Sequence, residues 1–339
     1  MIRHTKRFDA TRILSHLGQL ILAVSLMSSG CVNGWAHESA DTDADLYAVF
    51  GVEGGDIWAV GSAGTVLVRR DTHWIPLDSG VETDLKGVWG TGPEHVVVVG
   101  DECTALEYNG EPEPDPDTGE VPPDLRPLEV EGCPDFLAVD GVSPTDANAI
   151  GSSHIYWYNG SSISRGGWHA ENLLGLHTTS SDDRHLCASQ GLYKHYDGNE
   201  WKGYHISNCP VALVDGKCPM DEEKPILWDV WAGKSGKGGL VGNSGGIWLL
   251  PPPEGDAKWS MIPTDISSDL RAIAGWQKSD GQVEMFAVGD GGVVYKIVDG
   301  KAKRQNVDIS ENLHGVWVSE DGTHVFAVGD NGKILHLIQ

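Results

Sequence analysis

Apolar residues along this chain fall in runs of four or five, joined by Asp-Gly, Asn-Gly or Ala-Gly pairs, with no helical period after residue 30. Such runs read as short strands, and the pairs between them tolerate the positive φ that tight hairpins demand. Ile57-Trp58-Ala59-Val60-Gly61 leads through Ser62-Ala63-Gly64 to Thr65-Val66-Leu67-Val68, and the same succession recurs at 286–296 and 325–336. Ahead of each stands a second pattern, acidic or polar–Leu–x–Gly/Ala–Val–Trp. It is clear in Asp45-Leu46-Tyr47-Ala48-Val49-Phe50 and Asp84-Leu85-Lys86-Gly87-Val88-Trp89, and weaker at 135–140 and 172–177. It returns as Leu227-Trp228-Asp229-Val230-Trp231, at 269–274, and as Asn312-Leu313-His314-Gly315-Val316-Trp317. The anchors, residues 46, 85, 136, 173, 227, 270 and 313, lie 39, 51, 37, 54, 43 and 43 residues apart.

Each unit thus supplies three or four strands, the last often carrying a tryptophan (Trp74, Trp201, Trp259). One such sheet cannot bury both faces, so neighbouring units must stack, and sheets of this size stacked radially close into a ring. The expected fold is all-β, a seven-bladed β-propeller over residues 45–339. The 44 glycines, with no triplet period, fit many turns. The last copy stops on its third strand, at 333–338, which leaves that strand's edge unpaired. The segment 34–42 is the nearest free chain, and around Trp35–Glu38 it is expected to pair there as the missing outer strand, with Trp35 replacing the outer-strand tryptophans. A wholly unpaired tether over 31–44 is the competing expectation.

The units resemble the repeats of secreted or lipid-anchored bacterial propellers, which read D-L-x-G-V-W-G…D-V-W-A-V-G-x-x-G-T-I-L. They are more distantly similar to sialidase-type repeats and to the photosystem II assembly-factor propeller. The resemblance covers residues 45–339 and implies a fold, not an activity. By it the first strand of each unit is innermost, and there the fifth pattern residue is Phe50, Trp89, Trp231 or Trp317 in four copies. Copies three and four carry Asp140 and His177 instead, which makes these two the candidate ligand-facing residues. An Asp–His pair can orient an imidazole as a general base; a satisfied polar bridge or a locally shifted strand accounts for it as well.

The N-terminus reads as an address. A basic stretch over 1–12 precedes an apolar run at 17–29 that is too short to span a bilayer. Ser28-Ser29-Gly30-Cys31 resembles a bacterial lipobox, with Ser28 where leucine is usual. The resemblance implies a signal peptide over 1–30, diacylglycerol on Cys31 and, with Val32 following, the outer membrane. An ordinary secretory signal cut after Gly34 or Ala36 is the alternative. An exported chain favours disulfides. Cys103 falls in the turn between the second and third strands of unit two, and Cys133 in the link to unit three. In a propeller those turns and links share one face, so this pair is expected. Cys209 and Cys218 flank one loop and form the second expected pair, and Cys187 sits at the buried slot of Val60 as a free thiol.

Losing residues 1–30 removes four basic residues and Asp9, leaving 20 Lys and Arg against 48 Asp and Glu, a net of about −28. That field repels nucleic acid and anionic headgroups, so membrane contact is expected through the lipid alone. The acidic, Pro-rich insertion at 111–124 lacks the spacing of a calcium loop. Gly233-Lys234-Ser235 lacks the rest of a P-loop, no His-Glu-x-x-His or Gly-x-Ser-x-Gly occurs, and the histidines scatter over different strands. A sialidase-type site needs three clamping arginines, and the seven of the exported chain fall at no regular position. No catalytic residue, metal or cofactor is therefore expected. The reading is a monomeric binding or scaffold propeller of the cell envelope, with a protein or glycan ligand. A carbohydrate-active enzyme using channel carboxylates, or an envelope assembly factor, is the alternative.

Overall fold

The computed structural model describes residues 34–52, 55–114, 116, 118–119, 121–168, 172–206, 224–251, 259 and 261–339. These residues form seven small sheets. Their first strands are Leu46–Gly51, Leu85–Gly92, Ala138–Ser143, Leu173–Ser180, Leu227–Ala232, Leu270–Gln277 and Leu313–Val318. Each first strand packs against the next, and the seventh packs against the first, so the sheets close into a ring around these strands. The architecture is a seven-bladed β-propeller.

Three local devices explain why the repeat has the letters it has. The anchor residues Leu46, Leu85, Phe136, Leu173, Leu227, Leu270 and Leu313 are all buried to 1% or less, each on the seam between two blades. After the anchor, six of the seven first strands shift register by one residue, as between Leu46 and Ala48 or Leu85 and Gly87. The x of the motif is thus a bulged residue, left off the ladder with its side chain free for other contacts. The small fourth residue follows because neighbouring first strands nearly touch: a Cβ on Gly87 would lie 2.9 Å from the Val139 nitrogen, and one on Gly315 3.0 Å from Ala48 Cα.

The leading Asp or Asn reaches back to the previous blade. Asp45, Asp84, Asp135, Asp269 and Asn312 accept backbone N–H bonds of 2.9–3.1 Å from Asn331, Ala63, Glu102, Ser244 and Gly291. All five donors lie in turns between second and third strands, where successive residues take left-handed conformations. Most copies end that turn on glycine, and a Cβ on Gly64 would sit 1.9 Å from the Val81 carbonyl oxygen. Blade two has Cys103 there instead, at φ +65. It is joined by a disulfide to Cys133 in the following link, Cα to Cα 4.5 Å. Cys187 is buried and free. Cys31, Cys209 and Cys218 lie outside the described residues.

The ring closes through its N-terminal segment. Trp35–Glu38 runs antiparallel to the third strand of blade seven, Ile334–Ile338, in the register Trp35↔Leu337 to Glu38↔Ile334. Trp35 is 1% exposed and meets Phe286 of blade six edge-on at 5.9 Å. Trp74, on the outer strand of blade one, meets Phe326 of blade seven in the same way at 6.2 Å. Trp35 is therefore the outer-strand tryptophan of blade seven, contributed from the other end of the chain.

Glu38 then ties three segments together. Its carboxylate accepts from Arg69 Nε (2.7 Å) and Nη2 (2.9 Å) and from Trp74 Nε1 (2.8 Å), both in blade one, and faces His336 Nδ1 (2.9 Å) in blade seven. Two blades depart from four simple strands. Glu129–Val130 adds to the outer edge of blade three in parallel, and the described outer edge of blade five is one bridge, Trp248 to Met261.

Candidate functional site

Asp140 and His177 meet on adjacent first strands. His177 Nδ1 lies 3.2 Å from Asp140 Oδ2, which also accepts the Thr178 N–H at 2.7 Å. The other ring nitrogen, Nε2, donates to the Ala232 carbonyl of blade five at 2.9 Å. The imidazole therefore links three consecutive blades. Burial would pull the His177 pKa down, but its bonds to Asp140 and Ala232 outweigh this and raise it. With both nitrogens engaged, His177 has no free position from which to accept a substrate's proton.

The pair has a third member that the motif conceals. Asp229 occupies the slot that is glycine or alanine in the other copies, and its two oxygens accept from the N–H groups of Val230 (2.8 Å) and Ile273 (2.9 Å). Burial pushes its pKa up to about 7, further raised by Asp140 and opposed by the two N–H bonds and His177. A carboxyl shifted this far marks a candidate site, though a structural polar cluster shifts equally. The sequence signal was available: an acid where every other copy needs a small residue.

The bulged residues make a second constellation. In chain order they are Tyr47, Lys86, Leu174, Trp228, Arg271 and His314, all half-buried. Lys86 Nζ sits 3.8 Å over the Tyr47 ring, the Arg271 guanidinium 4.4 Å over Trp228, and the Tyr47 and His314 rings are 5.8 Å apart. The capping aspartates hold them in place. Asp84 accepts from Lys86 (2.8 Å) and Tyr47 Oη (3.2 Å), and Asp269 accepts from Trp228 Nε1 (3.2 Å). Because each bulge follows an anchor at the same point of its blade, these side chains ring one mouth of the propeller. Each cation among them is paired with a carboxylate, Lys86 with Asp84 (2.8 Å), Arg271 with Asp290 (2.8 Å) and His314 with Asp330 (2.5 Å), so aromatic rings and ion pairs alternate there.

The expected scatter of histidines fails in blade four. There the register aligns His177 with His185 and His185 with His195 across three neighbouring strands. Side chains directly opposite one another share a sheet face, whatever their distance in sequence. The three rings stack in a row, with centroids 6.4 and 4.8 Å apart. Asp183 joins His185 and His195, and its oxygen and their ring nitrogens fall within 4.8 Å of one another. Sequence spacing alone hides this group, since it rests on strand pairing.

No family model matches the chain. No curated protein matches it either. Solved structures do. That of YCF48 bound to D1 peptide is 16% identical over 91% of this chain and 96% of its own, with a TM-score of 0.67. The WD40 propeller domain of Doa1 is 13% identical over 90% and 97%, with a TM-score of 0.63. Virginiamycin B lyase from Staphylococcus aureus is 10% identical over 90% and 99%, with a TM-score of 0.65. At these identities the likeness is one of fold, and what the chain shares with them is the closed propeller ring.

Proposed function

We propose that this chain is a non-catalytic binding propeller of the bacterial cell envelope, lipid-anchored at Cys31, which takes a protein or glycan ligand at the mouth ringed by its bulged residues. The observation that carries the reading is that mouth. Aromatic faces and cations held at fixed positions are the groups that dominate binding surfaces, because they offer large contact area and charge at little entropic cost. Tyr47, Trp228 and Arg271 are all of this kind. The peptide complex of YCF48, a ring of the same fold, supports a protein ligand in particular.

Against catalysis stands the engagement of both His177 nitrogens, described above. The strong net negative charge, with carboxylates beside every cation of the mouth, argues for a partner with a cationic segment. The ligand test is capture from intact cells by the tagged chain, run beside a glycan array. Capture of a defined partner, or a glycan hit, supports binding; turnover of a bound glycan would favour the carbohydrate-active enzyme instead. The anchor is tested separately. Cys31→Ala is expected to leave the membrane fraction, and retention of that variant there contradicts lipidation.

A further inference from the structure

From the side chains that converge on the outer part of blade four, we infer a metal site: Asp183, His185 and His195 form a three-ligand centre for a divalent first-row ion of the zinc class. The second strand of that blade is Asp183–Ala188 and the third is Leu192–Tyr196. Asp183 and His185 are two residues apart and so share a face, and His195 lies directly opposite His185. Strand geometry alone therefore puts the three side chains together. His195 Nε2 is 2.6 Å from Asp183 Oδ1, and His185 Nε2 is 3.2 Å from the same oxygen.

The decisive detail is His185. It is 2% exposed, and its Nε2 is buried with no hydrogen-bond partner of acceptable geometry. Its Nδ1 is held by Tyr193 Oη at 2.8 Å, so Nε2 is the nitrogen turned towards Asp183 and His195. A buried polar atom left unsatisfied is costly and calls for an explanation. Two imidazoles stacked at 5° and both aimed at one carboxylate oxygen cannot each bond it well. A cation among the three groups satisfies all of them.

Donor type and outer partners suit such an ion. Imidazole with carboxylate is the ligand set of zinc and its neighbours, and an Asp with two His leaves positions open for water. Ligand atoms about 2.0–2.2 Å from zinc lie roughly 3–3.5 Å from one another; the three donor atoms lie within 4.8 Å and the two rings are stacked at 5°, so seating the ion takes shifts of up to about an ångström and a tilt of the rings that turns both Nε2 atoms towards it. Outer contacts orient two of the ligands, as metal sites require. Tyr193 fixes the His185 ring, and Thr179 Oγ1 donates to the second oxygen of Asp183. Asp183 and His195 retain about a quarter of their side-chain surface, which leaves a way in from solvent.

The test uses the full chain, stripped with a chelator and titrated with Zn²⁺ by calorimetry and with Co²⁺ by visible absorption. One equivalent of Zn²⁺ is expected to bind, and His195→Ala or Asp183→Asn to weaken it at least tenfold, the lower bound for losing even an outer partner. His205→Ala, on the exposed outer strand, controls for surface histidines and should change nothing. Should the variants fold poorly, ¹⁵N spectra of the wild type decide: Zn²⁺ must shift the Nε2 resonances of His185 and His195. Folded wild type that takes up no Zn²⁺, binding undiminished in both variants, or unmoved Nε2 resonances each overturn the site.

Discussion

Replacing Glu38 by glutamine tests whether the N-terminal segment is part of the ring or merely attached to it. Burial alone would raise the Glu38 pKa, but the bonds from His336, Arg69 and Trp74 and the Arg69 charge bring it down to about 2, from 4.5. The side chain is 16% exposed and Arg69 15%, so water screens the pair little. A fall from 4.5 to about 2 corresponds to roughly 3 kcal/mol of stability at neutral pH. Because the folded value is the lower one, this contribution is complete above about pH 4.5 and fades as the pH falls towards 2. At pH 3 roughly 1–1.5 kcal/mol of it should remain. The assay is urea unfolding of wild type and Glu38→Gln, followed by tryptophan fluorescence at pH 7 and pH 3. The variant should lose about 3 kcal/mol at pH 7, within a factor of two, and the gap should at least halve at pH 3. A gap below about 1 kcal/mol at pH 7, or one that does not narrow with acid, refutes the closing role assigned to Glu38.

Other predictions concern single groups. The Asp229 carboxyl carbon should titrate near pH 7 by NMR, because burial disfavours its charge. Its raised value means that the associated stability is whole below about pH 4 and is lost as the pH rises through 7; a midpoint near 4 contradicts the cluster. Removing the Cys103–Cys133 bridge with a double serine variant frees a separation of 30 residues and should cost about 3–4 kcal/mol without abolishing the fold, read by the same unfolding assay. Cys187, whose pKa burial raises far above the ordinary thiol range, should resist thiol reagents until the chain unfolds. Rapid labelling of native Cys187 would show that blade four is open.

What could be read from the sequence was whatever repeats. The anchors, the turn glycines and the unpaired edge of blade seven recur or are conspicuously missing, and both the ring and its closure by Trp35–Glu38 follow from them. Departures inside the repeat were harder. Asp140 and His177 stand out because they replace a large aromatic, whereas Asp229 replaces a glycine or alanine whose smallness leaves little pattern to break. The bulged positions, from Tyr47 to His314, carried no pattern of residue type, so only the register shifts reveal that they gather at one mouth. The group around His185 depends on which residues face each other across strands, which a one-residue slip would change entirely. Glu129–Val130 joins blade three in parallel, a pairing for which short strands give no signal.

The claim at the centre of the account is that the propeller binds through the mouth built by its bulges. The most direct measurement compares capture from intact cells by the wild-type chain and by the double variant Tyr47→Ala, Trp228→Ala. Both positions are half-buried and off the ladder, so the variant should keep the wild-type circular dichroism spectrum. Loss of two aromatic anchors from a binding surface commonly costs 2 kcal/mol or more, which makes the predicted loss of affinity for the captured partner at least tenfold. A folded double variant that captures the same partner with unchanged affinity would contradict the account.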